Sequence, residues 1–126
     1  MKIKSLDELQ IWQLARTFVD TVSAVLDRPT FGRDQKLRDQ LDHSSVSILS
    51  NVSEGFGQRS DRAFARHLAI ARGSNNEAIS QLGVARTRRH ITPLEYVEFE
   101  QMSRAMGKMM TRLIAYLDRA DRKCRG

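Results

Sequence analysis

Ser44-Ser45-Val46-Ser47-Ile48-Leu49-Ser50-Asn51-Val52-Ser53-Glu54-Gly55-Phe56-Gly57-Gln58-Arg59-Ser60 decides the fold of this chain. Between positions 44 and 53 it sets five serines and an asparagine among aliphatic residues, and then two glycines follow. Small hydroxyl side chains let helix backbones approach closely and can hydrogen-bond locally. Beside Ile48 and Val52 they predict a helix packed on more than one side. That helix spans about residues 35–54, with Asp34 as its cap and Gly55 and Gly57 as left-handed stops. Leu37, Leu41, Ser44, Ile48 and Val52 form one stripe; Val46, Leu49 and Phe56 form a second.

Three further helices flank it. The first spans about residues 6–27, where Ser5 and Glu8 have the spacing of a capping box. Leu9, Ile11, Trp12, Leu14, Ala15, Phe18, Val19, Val22, Val25 and Leu26 make its apolar arc wider than one stripe. Pro29 and Gly32 then break it. The third spans about residues 60–89, capped by Ser60, with Phe64, Leu68, Ala71, Asn75, Ala78, Ile79, Leu82 and Ala85 at helical spacing. The fourth spans about residues 93–120 and opens on Thr92-Pro93-Leu94-Glu95, which has a cap, a proline at the first position and a glutamate at the third. Its apolar positions carry Phe99, Met102, Met106, Met109, Met110, Leu113, Tyr116 and Leu117. The tail from Arg119 onward is basic and expected to fray. No window alternates with period two, so the expected fold is all-α, an up-down-up-down four-helix bundle in one domain over residues 1–126.

A bundle helix in a lone subunit needs only one buried face. The broad apolar character of the first two helices therefore predicts a homo-oligomer. Ile11, Leu14, Phe18, Val46, Leu49 and Phe56 are the candidate oligomer interface; the alternative is that they pack within one subunit.

Charge points to the partner. The net charge of +6 suggests an acidic one, nucleic acid first; the alternative on composition alone is that it only aids solubility. Residues 1–54 hold seven Lys/Arg and eight Asp/Glu; residues 55–90 hold seven arginines against Asp61 and Glu77; residues 91–126 hold seven basic and five acidic side chains. The excess therefore belongs to the third helix and its turns. Arg59, Arg62 and Arg66 lie at its start, and Arg86, Arg88 and Arg89 at its end. Cations at a helix C-terminus also suit the dipole, but Arg59 and Arg62 stand at an N-terminus, where it disfavours them. Arginine binds phosphate bidentately. No aromatic residue is interleaved with these arginines, so backbone or shape recognition is expected and base stacking is not.

Catalytic signals are weak. His43, His67 and His90 fall on different elements, and no HExxH, CxxC, GxSxG or P-loop pattern is present. No enzyme, cofactor or metal is expected. Asn51, Glu54, Arg72 and Asn75 form a candidate polar network around a Glu54–Arg72 ion pair, readable as a register lock or as a binding pocket. Cys124 is the only cysteine and fits a reducing cytoplasm. Neither a secretory leader nor a membrane span is expected.

The central motif carries a resemblance. Ser47-Ile48-Leu49-Ser50-Asn51-Val52-Ser53-Glu54-Gly55 resembles the "SIPSNIAEG" signature of the small four-helix-bundle proteins encoded in intervening sequences of bacterial large-subunit ribosomal RNA genes. Arg59-Ser60, Phe64, Leu68 and Ala71-Arg72-Gly73-Ser74 resemble that family's continuation. Leu9, Trp12 and Ala15 resemble its opening. The resemblance implies a four-helix bundle assembled as a ring-like homopentamer, without a settled activity. A related bundle, the accessory protein of diversity-generating retroelements, is a basic pentamer that works with a reverse transcriptase and nucleic acid. Leu49 departs from the family's proline, and Asp42-His43 and Asn75-Asn76 depart from its basic and apolar steps. Binding of structured RNA, as accessory to a larger enzyme, is the expected function. A protein-binding scaffold and an enzyme built on Glu54 and a histidine are the alternatives.

Overall fold

The computed structural model describes residues 6–125, with side-chain surroundings for residues 10–124. Four helices form: α1 (Leu6–Leu26), α2 (Gln35–Phe56), α3 (Asp61–Thr87) and α4 (Pro93–Arg125). A short 3-10 turn, Pro29–Arg33, joins α1 to α2. Among the described residues there is no strand. Helix α2 packs on α3, α3 on α4, and α1 on both α2 and α4.

Local chemistry explains the helix ends. Ser60 caps α3, its Oγ accepting from Ala63 N at 3.1 Å. Thr92 and Glu95 close the capping box at α4: Thr92 N donates to Glu95 Oε1 at 2.8 Å and Glu95 N to Thr92 Oγ1 at 3.1 Å. The Ser5–Glu8 box lies outside the described side chains.

Other ends differ from expectation. Asp34 precedes α2, but its carboxylate makes no capping bond; it is drawn off to other partners. Gly57 ends α2 in right-handed geometry (φ −80°), not as a left-handed stop. Helix α3 stops at Thr87, and Arg89 takes the left-handed position (φ 65°) where glycine is usual. There His90 N donates to Ala85 O at 2.9 Å and Arg89 N to Arg86 O at 3.0 Å, the two bonds of a Schellman ending. Helix α4 runs past its expected end near residue 120, through the basic tail to Arg125.

Gly55 lies inside α2 and is buried. A Cβ there would stand 2.8 Å from Phe64 Cδ1 and 2.9 Å from His67 Cβ, so only glycine lets α3 come this close. Gly73 is exposed on α3 with open space around it. Gly55→Ala is therefore expected to destabilise the subunit by about 1–3 kcal/mol through overpacking, against a helix-propensity gain of about 1 kcal/mol. Gly73→Ala should raise stability by about 0.5–1 kcal/mol. Urea denaturation of the two variants checks this contrast; equal effects would contradict it.

The core corrects the candidate interface. Ile11 and Phe18 are fully buried within the subunit, together with Ala15, Val22, Leu41, Ile48, Phe64, Leu68, Phe99 and Met106. Phe18 meets Phe99 edge-on, with ring centroids 5.9 Å apart at 81°. The wide arc of α1 thus faces two neighbours, α2 and α4, and these two residues are not surplus. Leu14 and Leu49 are half-buried against the same core. Val46 (46% exposed) and Phe56 (44%) do face outward. So does Trp12, whose indole Nε1–H donates to Ser53 Oγ at 3.2 Å. Ile70, Val84, Leu94 and Val97 add exposed apolar surface that the periodicity did not single out, and Tyr116, expected on the apolar face of α4, is exposed as well.

Candidate functional site

The serines of α2 are a ladder to α3. Ser44 Oγ donates to Gln81 Oε1 at 2.6 Å, Ser47 and Ser74 share a hydrogen bond of 2.8 Å, and His67 Nδ1 meets Asn51 Oδ1 at 3.1 Å. Asn51 Nδ2 donates back to Ser47 O at 2.9 Å, which fixes the amide's orientation and leaves Oδ1 to accept from the imidazole. These rungs step backward along α3 as they step forward along α2.

The expected Asn51–Glu54–Arg72–Asn75 network does not form. Glu54 is exposed, and Arg72 donates instead to Thr111 Oγ1 of α4 at 3.3 Å. Asn75 is buried and also faces α4: its Nδ2 donates to Ser103 O at 3.0 Å and its Oδ1 accepts from Ser103 Oγ at 2.9 Å. The cause is helical geometry: the residues of α3 alternate between two neighbours, so Asn51 pairs with His67 while Arg72 and Asn75 turn the other way. The lock exists, but as two separate seams.

The arginines divide into two groups on α3. Arg59, Arg62 and Arg66 are all exposed near its start. Among the described residues no carboxylate pairs with them. Arg86, Arg88 and Arg89 stand at its far end, about 35 Å away at 1.5 Å per residue. Their surroundings differ. Arg88 Nη1 donates to both oxygens of Asp34, at 3.0 and 3.1 Å, so its charge is largely committed. Arg86 lies 5.7 Å from the Tyr96 ring centroid, in cation–π contact. Arg89 is exposed.

A polar clamp ties the two turns at this end together. Sequence reasoning missed it, since its members lie about sixty positions apart. His90 is buried, 7% exposed, and its ring stacks on Phe31 with centroids 4.1 Å apart. Its Nε2 meets Asp34 Oδ2 at 2.8 Å and its Nδ1 meets Thr30 Oγ1 at 2.9 Å. In the neutral ring Nε2–H donates to the carboxylate and Nδ1 accepts from the threonine hydroxyl. Arg28 donates to His90 O at 3.0 Å and to Glu95 Oε1 at 2.9 Å, with a second bond from Nη2 to Glu95 Oε2.

This geometry sets the titration of both acids. Asp34 is held below its ordinary value, first by the His90 hydrogen bond and then by Arg88, while partial desolvation opposes them. Glu95 is pulled from about 4.5 to about 2, first by the Arg28 hydrogen bond and then by Thr92 N–H. A depressed carboxyl value contributes stability that is present above the ordinary value and lost as pH falls through the folded one. The melting temperature is therefore expected to drop as pH falls from about 4.5 towards 2. Glu95→Gln should remove part of that drop. Thermal melts followed by circular dichroism check this; an unchanged profile in the variant would contradict it.

Beside the clamp lies an open cleft of about 620 Å³, lined by Arg28, Arg86, Arg89, His90 and Thr92 among others. No three His, Cys, Asp or Glu side chains among the described residues are grouped to hold a metal ion. No helix among them is long and apolar enough to cross a membrane. Each histidine has a plain surrounding: His43 is exposed on α2, His67 stands in the serine ladder and His90 in the clamp.

Four helices, a serine-lined seam between α2 and α3, and arginines at both ends of α3 define an all-α protein with a structural polar interior and a cationic exterior. The chain belongs to the 23S rRNA-intervening sequence protein family, whose profile matches residues 7–112. A solved structure with the same fold is a protein of unknown function from the S23 ribosomal protein family of Bacteroides thetaiotaomicron VPI-5482. It is 20% identical, with a TM-score of 0.78, over 87% of this chain and 99% of that one. No curated protein matches the chain significantly.

Proposed function

We propose that this chain is a non-enzymatic, up-down-up-down bundle that assembles into a cytoplasmic homopentamer and binds structured RNA through its arginines, as an accessory to a larger enzyme. One observation carries the binding: Arg59, Arg62 and Arg66 stand exposed and unpaired at the N-terminal end of α3. The dipole there opposes cations, so helix stability does not account for them. The opposed stepping of the α2–α3 and α3–α4 contacts supports the topology. Arg86, Asn75 and Arg72 on α3 meet Tyr96, Ser103 and Thr111 on α4 in reverse order. Carried on, that register sets Arg119, Arg122 and Lys123 near the end that bears Arg59 and Arg62. Two basic groups far apart in sequence then share one end of the bundle.

Exposed Trp12, Val46 and Phe56, with half-buried Leu14 and Leu49, support self-association. Light scattering is expected to give about five times the 14.4 kDa subunit mass. A subunit mass at high concentration would end the oligomer proposal.

Filter binding across a salt series tests the partner. Structured RNA is expected to bind at low salt and to dissociate steeply as salt rises, because each phosphate contact releases counterions. Absent or salt-insensitive binding of RNA and DNA would end the nucleic-acid proposal. Co-purification of a defined protein without nucleic acid would favour a scaffold instead.

A further inference from the structure

The cleft at the α3–α4 turn differs in kind from the open arginine stripe at the other end of α3. It is concave, and two of its cations are uncommitted. Among the described residues no carboxylate pairs with Arg86 or Arg89. By contrast, Arg28 in the cleft wall is held by Glu95, and Arg88, outside the lining, is held by Asp34. The free pair is positioned from behind. Tyr96 lies under the Arg86 guanidinium, and the left-handed backbone at Arg89 sets where that side chain leaves the turn. Thr92 adds a hydroxyl that accepts from Glu95 N and keeps its own hydrogen to donate.

We propose that this cleft binds a terminal phosphate monoester, carried by the 5′ end of a polynucleotide or by a free mononucleotide. An internal phosphodiester is tethered on both sides and presents two free oxygens with one charge. A monoester presents three oxygens and about 1.5 to 2 charges, which suits an open cleft with two free guanidiniums and a hydroxyl donor. The polynucleotide form rests on the nucleic-acid proposal above; the mononucleotide form stands without it.

Isothermal titration of the full chain tests it, using one short RNA with a 5′-phosphate and with a 5′-hydroxyl, and a nucleoside 5′-monophosphate beside its nucleoside. The phosphorylated RNA is expected to bind about tenfold more tightly. Arg89→Gly should abolish that difference without unfolding α3, since glycine suits the left-handed position better than arginine. Arg59→Gln should weaken both RNAs and keep the difference. Equal binding of the two RNAs, or a difference that survives Arg89→Gly, would overturn the inference. If neither RNA binds, the nucleic-acid proposal fails by itself. Monophosphate binding that is lost in Arg89→Gly then supports the cleft, and no monophosphate binding overturns it.

Discussion

Phe18→Ala is expected to cost the folded subunit about 3–5 kcal/mol, a loss within the range of total stability for a domain of this size. Phe18 has no exposed surface and stands edge-on to Phe99. Its truncation removes apolar burial, opens a cavity between α1 and α4, and loses an aromatic pair worth about 0.5–1.5 kcal/mol beyond its area. Val46→Ser, on the outward face of α2, should change subunit stability by no more than about 0.5 kcal/mol. Its effect should fall on the mass of the proposed homo-oligomer. Urea denaturation beside light scattering separates the two. A Phe18→Ala subunit of near-native stability but altered mass would return Phe18 to the interface and contradict the core described above.

These two residues show what the sequence could and could not say. The helices, the Ser60 cap and the Thr92–Glu95 box were legible because capping and periodicity are local. The serines of α2 were legible as close-approach residues, although which partner each one finds was not. Ile11 and Phe18 were misassigned because a wide apolar arc has two causes, a second subunit or a second neighbouring helix, and periodicity does not separate them. Gly55 read as a stop because glycine near a helix end usually is one; its use as a contact point for Phe64 and His67 depends on how α3 returns. The Asp34–His90 clamp was illegible for the same reason. Asp34 has the local look of a cap, and only the meeting of two distant turns takes its carboxylate away. Glu54 and Arg72, an ion pair in the expected network, are kept apart by the direction in which α3 presents its side chains: Arg72 turns to Thr111 on α4.

The second large effect concerns binding. Replacing Arg59, Arg62 and Arg66 together by glutamine removes three exposed cations without touching the core. Each phosphate contact contributes about 0.9 to the slope of log affinity against log salt on duplex nucleic acid. Three lost contacts then weaken binding near 0.1 M salt by about two to three orders of magnitude, and the loss should shrink towards 1 M salt. Melting temperature should hold steady or rise slightly, because the side chains are exposed and the dipole at the start of α3 disfavours the cations removed beside the Ser60 cap. Arg88→Gln should do the reverse, weakening the Asp34 contact more than it weakens binding.

The salt slope of RNA affinity, measured for the native chain and for the Arg59→Gln, Arg62→Gln, Arg66→Gln variant, tests the binding surface most directly. The expected result is a steep native slope that flattens by about three in the variant, with helicity intact. Equal slopes for the two proteins would contradict a role for the start of α3 in holding phosphate.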